Sequence, residues 1–281
     1  MENQRDSREG MLKNRAWMCC GLALALGVLN AAVAQTEPSP VVHVALFVEH
    51  GCTDPKSFNA VEKVLTAGGG IQVDKVTSAT VRTPGFFEDY DVFILPGGSG
   101  AGEARAMGTT ATRELAQAVR AGKGLIGICA GGYFISEGWT TETRELDIVN
   151  VRNHDGAHWA RGEAFIPVNL LTAAGETSHT MWYENGPILA PSDMESVANY
   201  TPLARYGVDM AAKNAPTGQM IGRDAVIAAY AQRGRVVAFG PHPELSPDVN
   251  HWLVNAVRWA SRASEGTAQP ITAEHVLEGA L

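Results

Sequence analysis

Gly124-Leu-Ile-Gly-Ile-Cys129-Ala-Gly-Gly132 is the stretch whose reading decides the fold. Its first five residues are apolar or glycine, the mark of a short strand buried on both faces. The strand runs into Gly127-Ile-Cys129-Ala-Gly131, a strand-to-helix turn that pushes the central side chain out past the carboxyl edge of a sheet. Glycine is needed on both sides because so tight a turn leaves no room for β-carbons. The turn also sets Cys129 at a helix N-terminus, where the dipole favours thiolate over thiol. The competing reading is an inert, buried cysteine in a glycine-rich turn.

Outward from this elbow, strands and helices alternate. Val41 to Val48 is a nearly continuous apolar run, a doubly buried strand. Asp54-Pro55 opens a helix whose apolar positions Phe58, Val61, Val64 and Leu65 recur at helical spacing, and Gly68-Gly-Gly70 stops it. Ile71 to Val76 and Asp91 to Leu95 are further strands, a helix covers Thr110 to Ala121, and a last one spans Pro247 to Arg262. Such alternation predicts an α/β fold with a parallel, flavodoxin-like sheet flanked by helices. Between Leu146 and Tyr206 shorter pieces, among them Ala164–Leu170 and His179–Tyr183, predict a small antiparallel β extension, and Val226–Ala231 pairs with Arg235–Phe239 as a hairpin around Gly234.

Phe239-Gly-Pro-His242-Pro-Glu244 follows the hairpin's second strand, so His242 should also emerge at the carboxyl edge. His242 could take the Cys129 proton, with Glu244 fixing the imidazole's tautomer and orientation. The two prolines stiffen the turn that holds both side chains.

In this order, Gly127-Ile-Cys-Ala-Gly-Gly-Tyr-Phe134 and Gly240-Pro-His-Pro-Glu244 resemble the class I glutamine amidotransferase-like superfamily. Within it the chain looks more like the N-terminal domain of eukaryotic-type biotin–protein ligases. Leu95-Pro-Gly-Gly98 resembles that family's oxyanion loop, Trp182-Tyr-Glu-Asn-Gly186 its Tyr/Asn/Gly turn, and Leu203-Ala-Arg-Tyr206 another of its segments. The resemblance covers roughly residues 42–262. It implies Cys129 as nucleophile, His242 as base, Glu244 as orienter, and the backbone amides of Gly98 and Ala130 as an oxyanion hole.

The departures carry information too. Amidotransferases that use glutamine usually place Gln or Glu a few residues after the cysteine, where this chain has Gly132-Tyr133. The related intracellular proteases usually place His directly after Cys, where Ala130 stands. No Gly-Arg-Gly-Arg nucleotide/biotin loop occurs, which argues against protein biotinylation.

Tyr133, Tyr183, Asn185 and His158 are candidates to line the substrate pocket, with Trp182 and Asn153 beside them. His154-Asp155-Gly-Ala-His158, with His179, invites a metal reading, but Gly156 spoils the helical i, i+4 spacing, so a polar loop is the better reading and neither metal nor other cofactor is expected. Cys52, in the loop after the first strand, lies on the same expected edge as Cys129. A Cys52–Cys129 disulfide in an oxidising compartment is therefore an expectation the structure can test.

The N-terminus reads as a removable leader. Lys13 and Arg15 precede the apolar run Ala16–Leu29, which closes on Ala32-Val-Ala34. A basic flank, a short apolar stretch and an A-x-A end describe a secretory signal peptide over 1–34. The run is shorter than the about 20 apolar residues of a spanning helix, so no membrane span remains after cleavage. Those 34 residues hold four Lys/Arg and three Asp/Glu, leaving 18 basic against 27 acidic residues and a net charge of −9. That balance argues against nucleic acid as a partner. Cys19 and Cys20 leave with the leader, and two remaining cysteines cannot staple a scaffold. A linker (35–40), one domain (41–262) and a polar, mobile tail (263–281) complete the expected organisation. The whole predicts an exported, periplasmic or secreted thiol hydrolase acting on a small-molecule or peptide amide. The alternative is a non-catalytic binding or regulatory module that keeps the pocket.

Overall fold

The computed structural model describes residues 41–262, Gly266 and residues 269–280. The expected leader and linker, and residues 263–265, 267, 268 and 281 of the expected tail, lie outside the described residues.

The first half alternates: β1 (Val42–Phe47), α1 (Pro55–Ala67), β2 (Ile71–Val76), α2 (Ser78–Val81), β3 (Val92–Leu95), α3 (Gly100–Arg120), β4 (Gly124–Ile128) and α4 (Ala130–Ile135). Strands then dominate, with β5 (Val151–His154), β6 (Glu163–Thr172), β7 (Gly175–Glu184), β8 (Ile188–Pro191), β9 (Thr201–Tyr206), β10 (Asp224–Ala231) and β11 (Gly234–Phe239). Two helices follow, α5 (Asn250–Ser261) and α6 (Ala273–Val276).

Among the described residues the strands form one eleven-stranded sheet whose main path runs β2-β1-β3-β4-β11-β10-β9-β6-β7. β2, β1, β3, β4 and β11 pair in parallel. From β10 outward the pairing is antiparallel, with β8 and β5 branching from β10. The fold is thus mixed α/β, a central sheet flanked by helices, parallel in its core with antiparallel strands added. The added part is larger than the extension expected: β6 and β7 each run for ten residues. Apart from Leu170 and Leu171, their outer ends are Asn, Thr, Gly, Glu and Ser, which pair through the backbone and leave little hydropathy signal.

Successive residues of the central strands enter two different cores. Val44, Leu46, Ile126, Ile128, Val237 and Phe239 share one with Val61 and Leu65 of α1 and Trp252 and Val257 of α5. Ala45, Phe47, Leu125, Val236 and Ala238 share the other with Leu115 and Val119 of α3. This two-sided burial is why those strands read as unbroken apolar runs. Each fully buried aliphatic or phenyl side chain contributes about 1.5–3 kcal/mol.

Two expectations change. The helix expected from Thr110 begins ten residues earlier, capped by Ser99, whose Oγ accepts from Gly102 N at 3.2 Å. Gly100, Gly102 and Gly108 lower helix propensity and masked this stretch. Gly108, at φ 77°, marks a kink. The tail expected to be polar and mobile instead packs back. Ala273, Val276 and Leu277 are buried in the same core as Trp252, and Trp252 Nε1 donates to Glu278 Oε1 at 2.6 Å. No helix among the described residues is long and apolar enough to cross a membrane.

Candidate active site

β4 ends at Ile128, and Cys129 takes φ 51° and ψ −97° before α4 begins. A positive φ is costly for a residue with a β-carbon and persists only where surrounding packing imposes it. Here the glycines on both sides make room for the turn. A Cβ on Gly127 would sit 2.5 Å from Gly131 O, and one on Gly131 would sit 2.3 Å from Leu95 O. Backbone bonds hold the elbow as well, with Cys129 N donating to Phe239 O at 2.8 Å and Tyr133 N to Cys129 O at 3.1 Å. Cys129 is 6% exposed. α4 is only six residues long, so its dipole gives a thiolate less support than a full-length helix would.

β11 lies beside β4, and its chain leaves through Gly240-Pro241 to His242. His242 N donates to Trp182 O at 2.8 Å, which ties the turn to β7. Its Nδ1 lies 2.8 Å from Glu244 Oε1, and both residues are buried. The same carboxylate oxygen accepts from Ser57 Oγ at 2.6 Å, and Ser57 Oγ accepts from Gly97 N at 2.8 Å. Burial works against a charged imidazole, but the Glu244 carboxylate and the Cys129 sulfur outweigh it and hold the His242 pKa well above its ordinary value. His242 Nε2 itself makes no geometrically complete hydrogen bond. In this resting arrangement the Cys129 thiol donates to Glu184 O at 3.4 Å rather than to the imidazole. Such bonds are often loose before substrate arrives.

Gly98 stands at φ 147°, where a Cβ would meet Cys52 O at 2.1 Å. Among the described residues, neither Gly98 N nor Ala130 N donates to a backbone carbonyl outside regular elements. Both amides are thus free beside the nucleophile candidate.

A cavity of about 390 Å³ opens over these groups, lined by Asp54, Gly98, Ser99, Gly100, Ala101, Cys129, Tyr133, Trp139, Trp159, Glu184, Asn185 and His242. Cys129, His242, Gly98, Tyr133 and Asn185 were all legible as site candidates. Tyr133 OH donates to Asn185 O at 2.9 Å, and its ring stacks on Trp139 with centroids 4.4 Å apart. Asn185 Oδ1 accepts from Gly162 N at 2.8 Å, so that amide shapes the wall.

Other candidates lie elsewhere. Tyr183 is fully buried in the core, donating to Gly186 O at 3.0 Å and packed edge-on against Tyr206. His158 lies outside the lining and pairs with Asp155 at 2.6 Å, while its neighbour Trp159 belongs to the lining. Trp182 packs against Phe165 and under Lys56 Nζ, 4.3 Å from its ring centroid. Asn153 Oδ1 accepts from Ile188 N at 3.2 Å. His154 Nε2 bonds Gln219, and His179 faces the Trp252 ring, so the three histidines have separate partners. No group of three metal-ligating side chains occurs among the described residues.

The expected disulfide is absent. Cys52 and Cys129 are both free, and the Cys52 sulfur turns to Glu49 O. Burial, aided by Glu103 and Glu49, pushes the Cys52 thiol up to about 11, which leaves it unreactive near neutral pH.

Sequence reasoning missed Ser57, an unremarkable serine in α1, and Asp54, Glu184, Trp139 and Trp159 on the cavity wall. It also missed Glu103 in the first turn of α3. Glu103 is fully buried, and neither carboxyl oxygen has a partner. Burial and the nearby Cys129 sulfur keep its pKa well above the carboxylate range.

This is a mixed α/β protein with a cysteine at a strained strand-to-helix elbow and a buried His–Glu pair beside it. Within that class, residues 43–167 match the family described as "Biotin-protein ligase, N terminal", so the resemblance read from the motifs holds over that span. The match includes Gly98 and Cys129 and stops before His242 and Glu244. The chain is 26% identical over 176 residues to the biotin–protein ligase of Schizosaccharomyces pombe, covering 56% of this chain and 26% of that protein. It therefore spans about a quarter of the length of that curated relative. Among solved structures, PurLQS from Thermotoga maritima is similar at 16% identity, TM-score 0.48, over 80% of this chain and 96% of that one. The cytoplasmic protein STM3548 from Salmonella typhimurium is similar at 14% identity, TM-score 0.45, over 79% and 98%.

Proposed function

We propose that the chain is an exported thiol hydrolase of the glutamine amidotransferase-like kind, cleaving an amide-type bond through Cys129. The observation that carries this reading is the buried run Gly97 N–Ser57 Oγ–Glu244 Oε1–His242 Nδ1, which leaves only Nε2 of the imidazole facing the cavity that holds Cys129. In the proposed reaction the thiol proton is already held on His242 Nε2 when substrate binds, as the raised His242 pKa favours, and sulfur attacks the substrate carbonyl carbon. Glu244 stabilises the imidazolium, while the Gly98 and Ala130 amides receive the oxyanion. The leaving amine departs with the proton from His242, giving a thioester. Water, deprotonated by the same nitrogen, attacks the thioester to release acid and restore the thiol.

Gly132-Tyr133 after the nucleophile argues against glutamine as the substrate. Export rests on the leader pattern in 1–34, and water is the acceptor that an extracytoplasmic setting favours.

The second reading is a binding module that keeps this pocket without turnover, and the thiol's bond to Glu184 O is the observation that favours it. Alkylation of Cys129 by iodoacetamide, mapped by mass spectrometry, separates the two. The hydrolase reading expects Cys129 to react at least tenfold faster than an exposed model thiol, and His242→Ala to remove that excess. An ordinary rate unchanged by His242→Ala would sink it.

A further inference from the structure

We infer that the cavity over Cys129 takes an amide bearing a positively charged amine beside its scissile carbonyl and lacking a free carboxylate. This rests on the thiol-hydrolase reading for the chemistry, and on the cavity's own charge for the ligand class.

The lining contains two carboxylates, Asp54 and Glu184, and no Lys or Arg. Asp54 caps α1, its Oδ1 accepting from Lys56 N at 3.0 Å. Glu184 Oε2 accepts from Trp182 Nε1 at 3.0 Å. The positive charge on the lining's own His242 is matched by Glu244, 2.8 Å away, and Lys56 Nζ, 4.0 Å from Glu184 and over the Trp182 ring, is largely solvent-exposed. An ion pair so exposed is weak, so Lys56 leaves most of the negative potential in the cavity. Aromatic faces complete the wall: the Tyr133–Trp139 stack on one side and Trp159, 51% exposed, at the mouth. Aromatic faces attract ammonium groups and give a carboxylate nothing.

A second observation shows that the cavity is built for a ligand. His242, 2% exposed, presents an unpartnered Nε2 to it, and Trp139 holds an unpartnered, buried Nε1 on the same wall. Each is a nitrogen that a polar group of a ligand can satisfy. In the proposed reaction the amides of Gly98 and Ala130 serve the developing oxyanion, so they do not also neutralise a substrate carboxylate. A substrate with a free carboxylate would face the like charges of Asp54 and Glu184, whereas an amino-acid amide with a free α-amine brings the opposite charge to them. At about 390 Å³ the cavity suits one such residue with its amide.

The test separates ligand class from catalysis. Cys129 of the full chain is modified with two methanethiosulfonates of similar size, one carrying a trimethylammonium and the other a sulfonate. Rates are read at the Cys129 peptide and normalised to glutathione. The inference expects the cationic reagent to be favoured at least tenfold, with Asp54→Asn and Glu184→Gln each cutting that ratio severalfold. Equal rates, or preference for the sulfonate, overturn it. In parallel, aminomethylcoumarin amides of alanine with a free, acetylated or succinylated amine are tested for cleavage that Cys129→Ala abolishes. Preference for the free amine supports both readings. Cationic labelling without Cys129-dependent cleavage of any of the three removes the hydrolase and leaves the ligand class standing. Faster cleavage of the succinylated compound overturns the ligand class alone.

Discussion

Ser57 Oγ donates to Glu244 Oε1 at 2.6 Å across a sequence separation of 187 residues, and the same oxygen holds His242 Nδ1 at 2.8 Å. The serine sits on the buried face of α1 and the carboxylate in the turn after β11, so the first and last thirds of the domain meet on one oxygen atom. Gly97 N, one residue before the candidate oxyanion amide, donates to the same serine. Hydroxyl, carboxylate and imidazole therefore form one hydrogen-bonded unit with the Gly97–Gly98 loop.

Ser57→Ala removes a hydrogen bond to a buried carboxylate and leaves Gly97 N without its acceptor. Bonds to charged groups are worth about 1.5–3 kcal/mol, and the expected loss of unfolding free energy lies in that range. Urea denaturation checks it. Ser57→Thr, which keeps the hydroxyl, should recover most of the loss. A variant as stable as wild type would show that the bond does not hold the turn.

The raised His242 pKa makes stability depend on pH. The folded protein keeps this imidazole protonated above the ordinary 6.5 at which the unfolded chain releases the proton. Its contribution is therefore complete below about pH 6.5 and is lost as pH rises toward the folded value. The unfolding free energy of wild type is expected to decline through the alkaline range more steeply than that of His242→Gln. Denaturation curves at pH 6, 7.5 and 9 for both proteins measure the difference, and parallel profiles would refute it.

Glu103 follows the same sign with a different group. Burial first, and the Cys129 sulfur second, raise its pKa well above the ordinary 4.5, so the folded state retains a proton that the unfolded chain gives up. Stability from this group is present below about pH 4.5 and falls as pH rises. Glu103→Gln has nothing to ionise. It is expected to gain stability relative to wild type between pH 5 and pH 8. A constant difference between the two proteins across that interval would mean that Glu103 is charged in the folded state.

The C-terminal residues test the corrected tail. Removing residues 270–281 strips Val276 and Leu277 from the core and Glu278 from Trp252 Nε1. Burial of each aliphatic side chain is worth about 1.5–3 kcal/mol, so a loss of about 3–6 kcal/mol is expected. Thermal unfolding of the truncated chain would show it as a lower midpoint. An unchanged midpoint would restore the mobile tail.

Much of the fold was legible because burial leaves a local signature. Val42–Phe47, Val92–Leu95 and Gly124–Ile128 are apolar on both faces, and only a strand in the middle of a parallel sheet needs that pattern. The elbow was legible because Gly127 and Gly131 are the only residues small enough to let Cys129 stand at a positive φ. The Pro-His-Pro-Glu turn was legible because its stiffness and chemistry are both local. The start of α3 was not, since the glycines that permit close packing against Ala130 also mimic a loop. The ends of β6 and β7 were not, since backbone pairing needs no apolar side chains.

What the chain determined by itself was the order of its elements, the turn that presents Cys129, and the turn that holds His242 beside Glu244. Only the tertiary structure decided that Ser57 anchors that carboxylate, that Asp54 and Glu184 line the cavity, and that Tyr183 and His158 stay out of it. It also decided that Cys52 and Cys129 remain separate thiols. Periodicity and turn chemistry act between residues a few positions apart and so are written in the sequence. Hydrogen bonds, potentials and sulfur–sulfur approach fall off within a few ångströms, and which distant residues come that close is set by how helices and strands pack.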